Sequence, residues 1–179
     1  LDLRGKIVTG DAQLAQRDLS ILIVQAGGEY VWIIKDNQPE TLQAIETLFA
    51  PEGCTPGFSP AAQEDFRTAE TVEKGHGRIE RRRITVSSAL KGYLDWPEAE
   101  QVFKVERHFV RVKDGKVTDE VVYGVTSLTP QEAGPERLLG LVRQHWEIEN
   151  GLHYRRYDTL KEDRCTLRIG HAAHAMAGS

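Results

Sequence analysis

Residues Lys6 to Phe49 read KIVTGDAQLAQRDLSILIVQAGGEYVWIIKDNQPETLQAIETLF, and this stretch decides the fold class. Lys6–Gly10 is a short β-rich run that ends at glycine directly before Asp11. Leu14, Leu19, Leu22, Ile23 and Ala26 follow at helical spacing, and Gly27-Gly28 stops the pattern. Tyr30–Ile34 is continuously apolar, β-branched and aromatic, which suits a buried strand. Pro39 sits where a first helical turn begins, and Leu42, Ile45, Leu48 and Phe49 give a second helical stripe. Strand, helix, strand, helix in so short a span reads as α/β with parallel strands.

The texture changes at Pro51. Residues 51–70 carry Pro51, Gly53, Pro56, Gly57 and Pro60, a loop composition. Short β-rich runs follow at Arg78–Ser87, Gln101–Val112 and Val117–Ser127, with a hairpin signal at Asp114-Gly115. Residues 51–130 therefore read as a β-rich insertion packing beside an α/β core. A helix returns from about Pro135 to about Tyr157. Both ends read as cut: the chain opens directly into a strand and stops in an incipient helix.

The bulk numbers set bounds. Of 179 residues, 40% are hydrophobic and 28% charged, ordinary for a globular chain. No apolar run approaches the roughly 20 residues that span a bilayer, no leader is visible, and no membrane role is expected. Cys54 and Cys165 are far apart and form no CxxC pair, which argues against a disulfide scaffold or zinc site and fits a reducing cytoplasm. The net charge of −4 does not announce a nucleic-acid binder. Yet Lys74–Arg83, KGHGRIERRR, sets five cations against one glutamate, and arginines are dense again between Arg155 and Arg168. Such patches fit local phosphate contacts, although solvated arginines explain a charge run equally simply.

Two acidic residues stand out. Asp11 follows a strand within an α/β pattern, where ligand groups gather at strand carboxyl ends; helix capping is the plainer explanation. In the late helix, Val142, His145, Glu149, Leu152 and Arg156 share one face by steps of three and four. Glu149 thus sits in a stripe that is apolar at Leu138 and Val142, a costly place for a carboxylate without a metal or a partner. An intrahelical Glu–His–Arg charge cluster is the alternative.

The run His145-Trp146-Glu147-Ile148-Glu149-Asn150, followed by Leu152-His153, resembles the final catalytic helix of DDE insertion-sequence transposases. In that helix the family spaces Tyr, Arg, Glu and Lys. Here Glu149 matches the Glu and Arg156 the basic end, while Val142 and His145 stand at the Tyr and Arg positions. These departures are similar to the H-repeat-associated subgroup. Four further segments resemble it in order: Ile7–Ala12, Lys35–Gln38, Gly75–Arg82 and Glu162–Arg164.

The resemblance implies a partial RNase H-like core whose first strands are missing, with a β-rich insertion. Residues 1–50 would be core sheet carrying the second catalytic Asp, Asp11; residues 51–130 the insertion; and residues 131–179 the late helix with the catalytic Glu, Glu149. The first Asp, which bridges both metals in the family, has no counterpart, because Asp2 precedes the strand that would be the fourth. It also implies two Mg²⁺ ions (or Mn²⁺) about 3.5–4 Å apart for in-line displacement at phosphorus, Asp11 and Glu149 as ligands facing each other across a cleft, and strand cleavage and transfer at element ends. Double-stranded DNA and self-association on it would follow, in a bacterial cytoplasm near the nucleoid. Lys74, His76, Arg78, Arg81, Arg82, Arg83, His145 and Arg156 would contact DNA, positioning it without reading sequence. Trp32 and Trp146 are expected in the core, and His171 and His174 are incidental. Two rivals are a DNA-binding remnant without chemistry and a plain α/β interaction domain.

Overall fold

The computed structural model describes residues 2–50, 65–75 and 77–153, with side chains described through Ile148. Two compact units are present, residues 1–143 and residues 144–179. The first holds the sheet. Its elements are β1 (Ile7–Gly10), α1 (Arg17–Gln25), β2 (Glu29–Ile34), α2 (Pro39–Phe49), β3 (Arg67–Gly75), β4 (Arg78–Ser87), β5 (Gln101–Arg111) and β6 (Val117–Thr126); α3 (Pro135–His153) runs from it into the second.

The six strands form one sheet in the order β1-β2-β6-β5-β4-β3. β1 and β2 are parallel, Gly10 opposite Trp32, as the alternation of strand and helix predicts. Every other pair is antiparallel. The strands after residue 66 do not make a separate layer: β6 pairs with β2, Trp32 opposite Val125, so the β-rich region continues the same sheet. β3 is a strand that the sequence pattern does not announce. It is an edge strand with most of its residues exposed, so neither alternation nor apolar content marks it.

One face of the sheet carries Tyr30, Trp32, Ile34, Val102 and Val125 against Ile23 of α1, Ile45 and Leu48 of α2, and Trp96 of the 88–99 segment. Tyr30 and Trp32 stack with centroids 5.6 Å apart. Both are fully buried, so Trp32 is a core residue as expected. Their polar tips are satisfied: the Trp32 indole N–H donates to Ser20 Oγ at 2.9 Å, and the Tyr30 hydroxyl donates to the Pro97 carbonyl at 2.5 Å. Burial pushes the Tyr30 phenol far above its usual range. α1 accordingly turns Ser20 and Ile23 inward and leaves Leu22 62% exposed, a different phase from its leucine spacing.

The opposite face carries Val31, Ile33, Ile84, Val86, Phe103 and Val105; α3 buries Leu138, Leu139 and Val142 and reaches Glu73 on this face through Arg143. Gln101 anchors the approach to that helix, donating to the carbonyls of Leu128 and Ala133 at 2.7 and 3.1 Å. A side chain at Gly124 would overlap the Phe103 ring and the Trp32 carbonyl, so only glycine lets β2, β6 and that ring meet there.

Candidate active site and nucleic-acid surface

The parallel pair places the ends of β1 and β2 side by side, and Asp11 is the first residue past β1. Its carboxylate organises the turn: Oδ1 accepts from the backbone N–H of Gln13 at 3.0 Å and, more weakly, of Leu14 at 3.4 Å. α1 starts only at Arg17, so Asp11 heads a turn and does not cap the helix. Oδ2 accepts no bond among the described residues. The loop past β2 braces this turn from the other side. Asn37 Nδ2 donates to the Ala12 carbonyl at 2.6 Å and Gln38 Nε2 to the Ala15 carbonyl at 3.2 Å. Reading the sequence gave Lys35–Gln38 no physical role. The alternating pattern that placed two strand ends together was the signal that these amides would meet the Asp11 turn.

Beside the brace lies a cleft of about 600 Å³ between the start of α2 and the 90–95 segment, lined by Gln38, Thr41, Tyr93 and the Arg17–Asp95 pair, 2.8 Å apart. The Arg17 guanidinium holds the Asp95 carboxyl below its usual range.

Glu149 lies in α3 by its backbone; its side chain, and Arg156 and His76 altogether, fall outside the described residues, as do Cys54, Cys165, Glu162–Arg164, His171 and His174. His145 and Trp146 are half-buried on the same helix. Among the described residues no three His, Cys, Asp or Glu side chains gather closely enough to hold a metal. Asp11, with one oxygen fixed and one open, fits a single ligand of a hard cation.

The basic run resolves into two faces, because neighbouring strand residues point oppositely. Arg81 and Arg83 are exposed on the α1/α2 side of the sheet, where Arg81 grips Glu70 through two bonds of 2.8 Å. That hydrogen bonding holds Glu70 below the usual carboxylate range. A groove of about 410 Å³ runs past them, lined also by Glu106, His108, Asp119 and Val121, with His108 Nδ1 2.6 Å from Asp119. Lys74 and Arg78 are exposed.

Arg82 points the other way. It is 8% exposed and bonded to Glu80 at 2.7 Å and Glu73 at 3.0 Å. Glu80, 4% exposed, is gripped by Arg107 of β5 at 3.2 Å, which also reaches Glu120 of β6 at 2.8 Å. Arg143 of α3 closes the network onto Glu73. Bonding to Arg82, then the charge of Arg143, holds the Glu73 carboxyl below its usual range. Sequence reasoning missed this network because Arg82 and Arg107 are opposite only once the register is fixed.

The sequence matches the transposase DDE domain family over residues 1–179. It is 29% identical over 184 residues to "Putative protein YbfL" and 27% identical over 184 residues to "H repeat-associated putative transposase YhhI", both of Escherichia coli (strain K12). Each alignment covers 99% of this chain and 46% of the relative, so the chain spans about half the length of the curated relatives it matches. Family match and relatives agree with the resemblance carried by the late helix and the Asp11 strand: the chain belongs to the DDE transposase family.

Proposed function

We propose that this chain contributes two carboxylates, Asp11 and Glu149, to a transposase site that cleaves and joins DNA strands at insertion-sequence ends. The observation that carries the reading is Asp11: it stands at the carboxyl end of a parallel strand, with Oδ2 open and its turn braced by Asn37 and Gln38. A carboxylate fixed by one oxygen and open at the other is preorganised for a cation. Mg²⁺, or Mn²⁺ in its place, would be held by Asp11, Glu149 and phosphate oxygens, and would supply Lewis-acid stabilisation of the attacking and leaving oxygens.

In this reading residues 1–50 belong to an RNase H-like core, residues 51–130 are its insertion and residues 131–179 carry the late helix. β1 is an edge strand, and its unpaired edge beside Asp11 suits the further strand that would bring the first Asp. The exposed cations Lys74, Arg78, Arg81 and Arg83 meet duplex DNA through its phosphates, and copies of the protein associate on that DNA.

The test uses a longer protein that contains this chain. Glu149→Gln should abolish Mg²⁺-dependent cleavage of an element-end duplex while leaving DNA affinity nearly unchanged. EDTA-sensitive cutting that survives Glu149→Gln would reject the site. Binding without cleavage in the unsubstituted protein would favour the remnant that binds DNA without chemistry.

A further inference from the structure

The turns of two hairpins meet at the end of the sheet farthest from α1 and α2. The Val112 N–H donates to the Gly77 carbonyl at 2.8 Å, joining the β3–β4 turn to the β5–β6 turn. Register then sets Arg78 of β4 opposite Arg111 of β5, and the Arg111 N–H bonds the Lys116 carbonyl at 2.9 Å. Arg78, Arg111 and Lys116 thus form a row across neighbouring strands, which run about 4.8 Å apart. A groove of about 370 Å³ opens along the row, with Phe109 and Thr118 beside it.

Two features suit this row to an anion. The Phe109 ring is covered by two guanidinium groups, Arg78 at 5.3 Å and Arg107 at 4.7 Å from its centroid, so one end of the row is seated on an aromatic face. Its charge is also poorly compensated nearby. Glu80 lies 3.9 Å from Arg78 but is already engaged by Arg82 and Arg107. Asp114 reaches Arg111 at 3.2 Å, and Lys116 has no acidic partner among the described residues. Arg111 and Lys116 stand well past the basic run, on the next hairpin, and that run gives no hint of them.

We infer that Arg78, Arg111 and Lys116 form a contact row for the phosphate backbone of duplex DNA, laid across the joined hairpin turns. The inference rests on the DNA-binding reading above and adds where on the molecule the backbone lies. Asp114 tempers the site, because it holds Arg111 while its other oxygen accepts the Lys116 N–H at 3.0 Å and shapes the turn.

Fluorescence anisotropy of a labelled duplex, titrated with the full chain across a salt series, tests it. Each lost phosphate contact should make the slope of log affinity against log salt shallower by about 0.9, so Arg111→Ala with Lys116→Ala should lower it by about 2 and weaken binding on the order of tenfold. Asp114→Asn keeps the turn and frees Arg111, and should tighten binding. Lys6→Ala, an exposed cation elsewhere, serves as control and should change little. Inorganic phosphate at constant ionic strength should not displace the duplex; displacement would mark a free-anion site and overturn the assignment. An unchanged slope in the double variant, or no gain in Asp114→Asn, would overturn the row while leaving DNA binding intact. Loss of all salt-dependent binding in the unsubstituted chain would instead overturn the DNA reading beneath it.

Discussion

The carboxylate of Asp11 shapes a turn with one oxygen, and a substitution can separate that role from the metal-binding role proposed for the other. Oδ1 shapes the turn through the N–H groups of Gln13 and Leu14, while Oδ2 accepts no bond among the described residues. Asn keeps an oxygen for the turn and loses the charge; Ala loses both. Asp11→Asn should therefore match the unsubstituted chain in denaturant unfolding to within about 0.5 kcal/mol, and Asp11→Ala should fall below it by about 1 kcal/mol, the usual worth of a side-chain hydrogen bond. In the longer protein both should end metal-dependent cleavage. If Asn destabilises as much as Ala, the turn depends on charge and the separation fails. Ser20 shows the same economy of roles. A serine on the inward side of α1 looks like a fault in an apolar stripe, yet its hydroxyl accepts the Trp32 indole and donates to the Gln16 carbonyl at 2.8 Å. Burial without that pairing would carry a penalty; with it, the serine fixes the ring.

Within β4, three consecutive arginines lead different lives because a strand alternates its faces. Arg81 is exposed and paired with Glu70, and such surface pairs contribute about 0–1 kcal/mol. Arg82 is buried between Glu80 and Glu73, which would each keep one guanidinium, Arg107 or Arg143, but lose the bond that joins them; breaking a buried pair commonly costs about 3–5 kcal/mol. Arg82→Ala should therefore lower unfolding stability by several kcal/mol, and Arg81→Ala by less than about 1 kcal/mol. Equal losses would mean that the Glu80 cluster carries little of the stability. The same contrast guides DNA experiments. Weaker binding by Arg82→Ala would report a damaged sheet, whereas Arg83→Ala removes an exposed cation.

At the scale of the whole molecule, depressed carboxylates set the response to acid. Glu70 and Glu73 are held low by bonds from Arg81 and Arg82, Asp95 by its bond from Arg17, and Glu132 by the Thr129 N–H. A carboxyl with a folded pKa below its unfolded value gives stability that is present above the unfolded value and lost as pH falls through the folded one. The unfolded values are about 3.9 for Asp and 4.3 for Glu. The denaturant midpoint should hold steady from neutral pH to about 5 and fall below about 4. Added salt should flatten the fall, since most of these pairs face water. A midpoint unchanged from pH 6 to pH 3 would show that these pairs do not couple to folding.

What the sequence determined by itself was local and periodic. Strand, helix, strand, helix over residues 6–49 follows from side-chain spacing, as do the position of Asp11 past a strand and the helix that carries Glu149. The family too was legible there, because its motifs are short runs of the chain. The tertiary structure alone decided which residues far apart in the chain stand opposite one another. It joined β6 to β2 in one sheet, put Arg82 beneath that sheet and Arg81 above it, and set Arg111 beside Arg78. Antiparallel pairing depends on register, and a slip of one residue sends every side chain to the other face. No local pattern encodes that choice; it comes from the burial of both faces at once, by α1 and α2 on one and by the first half of α3 on the other.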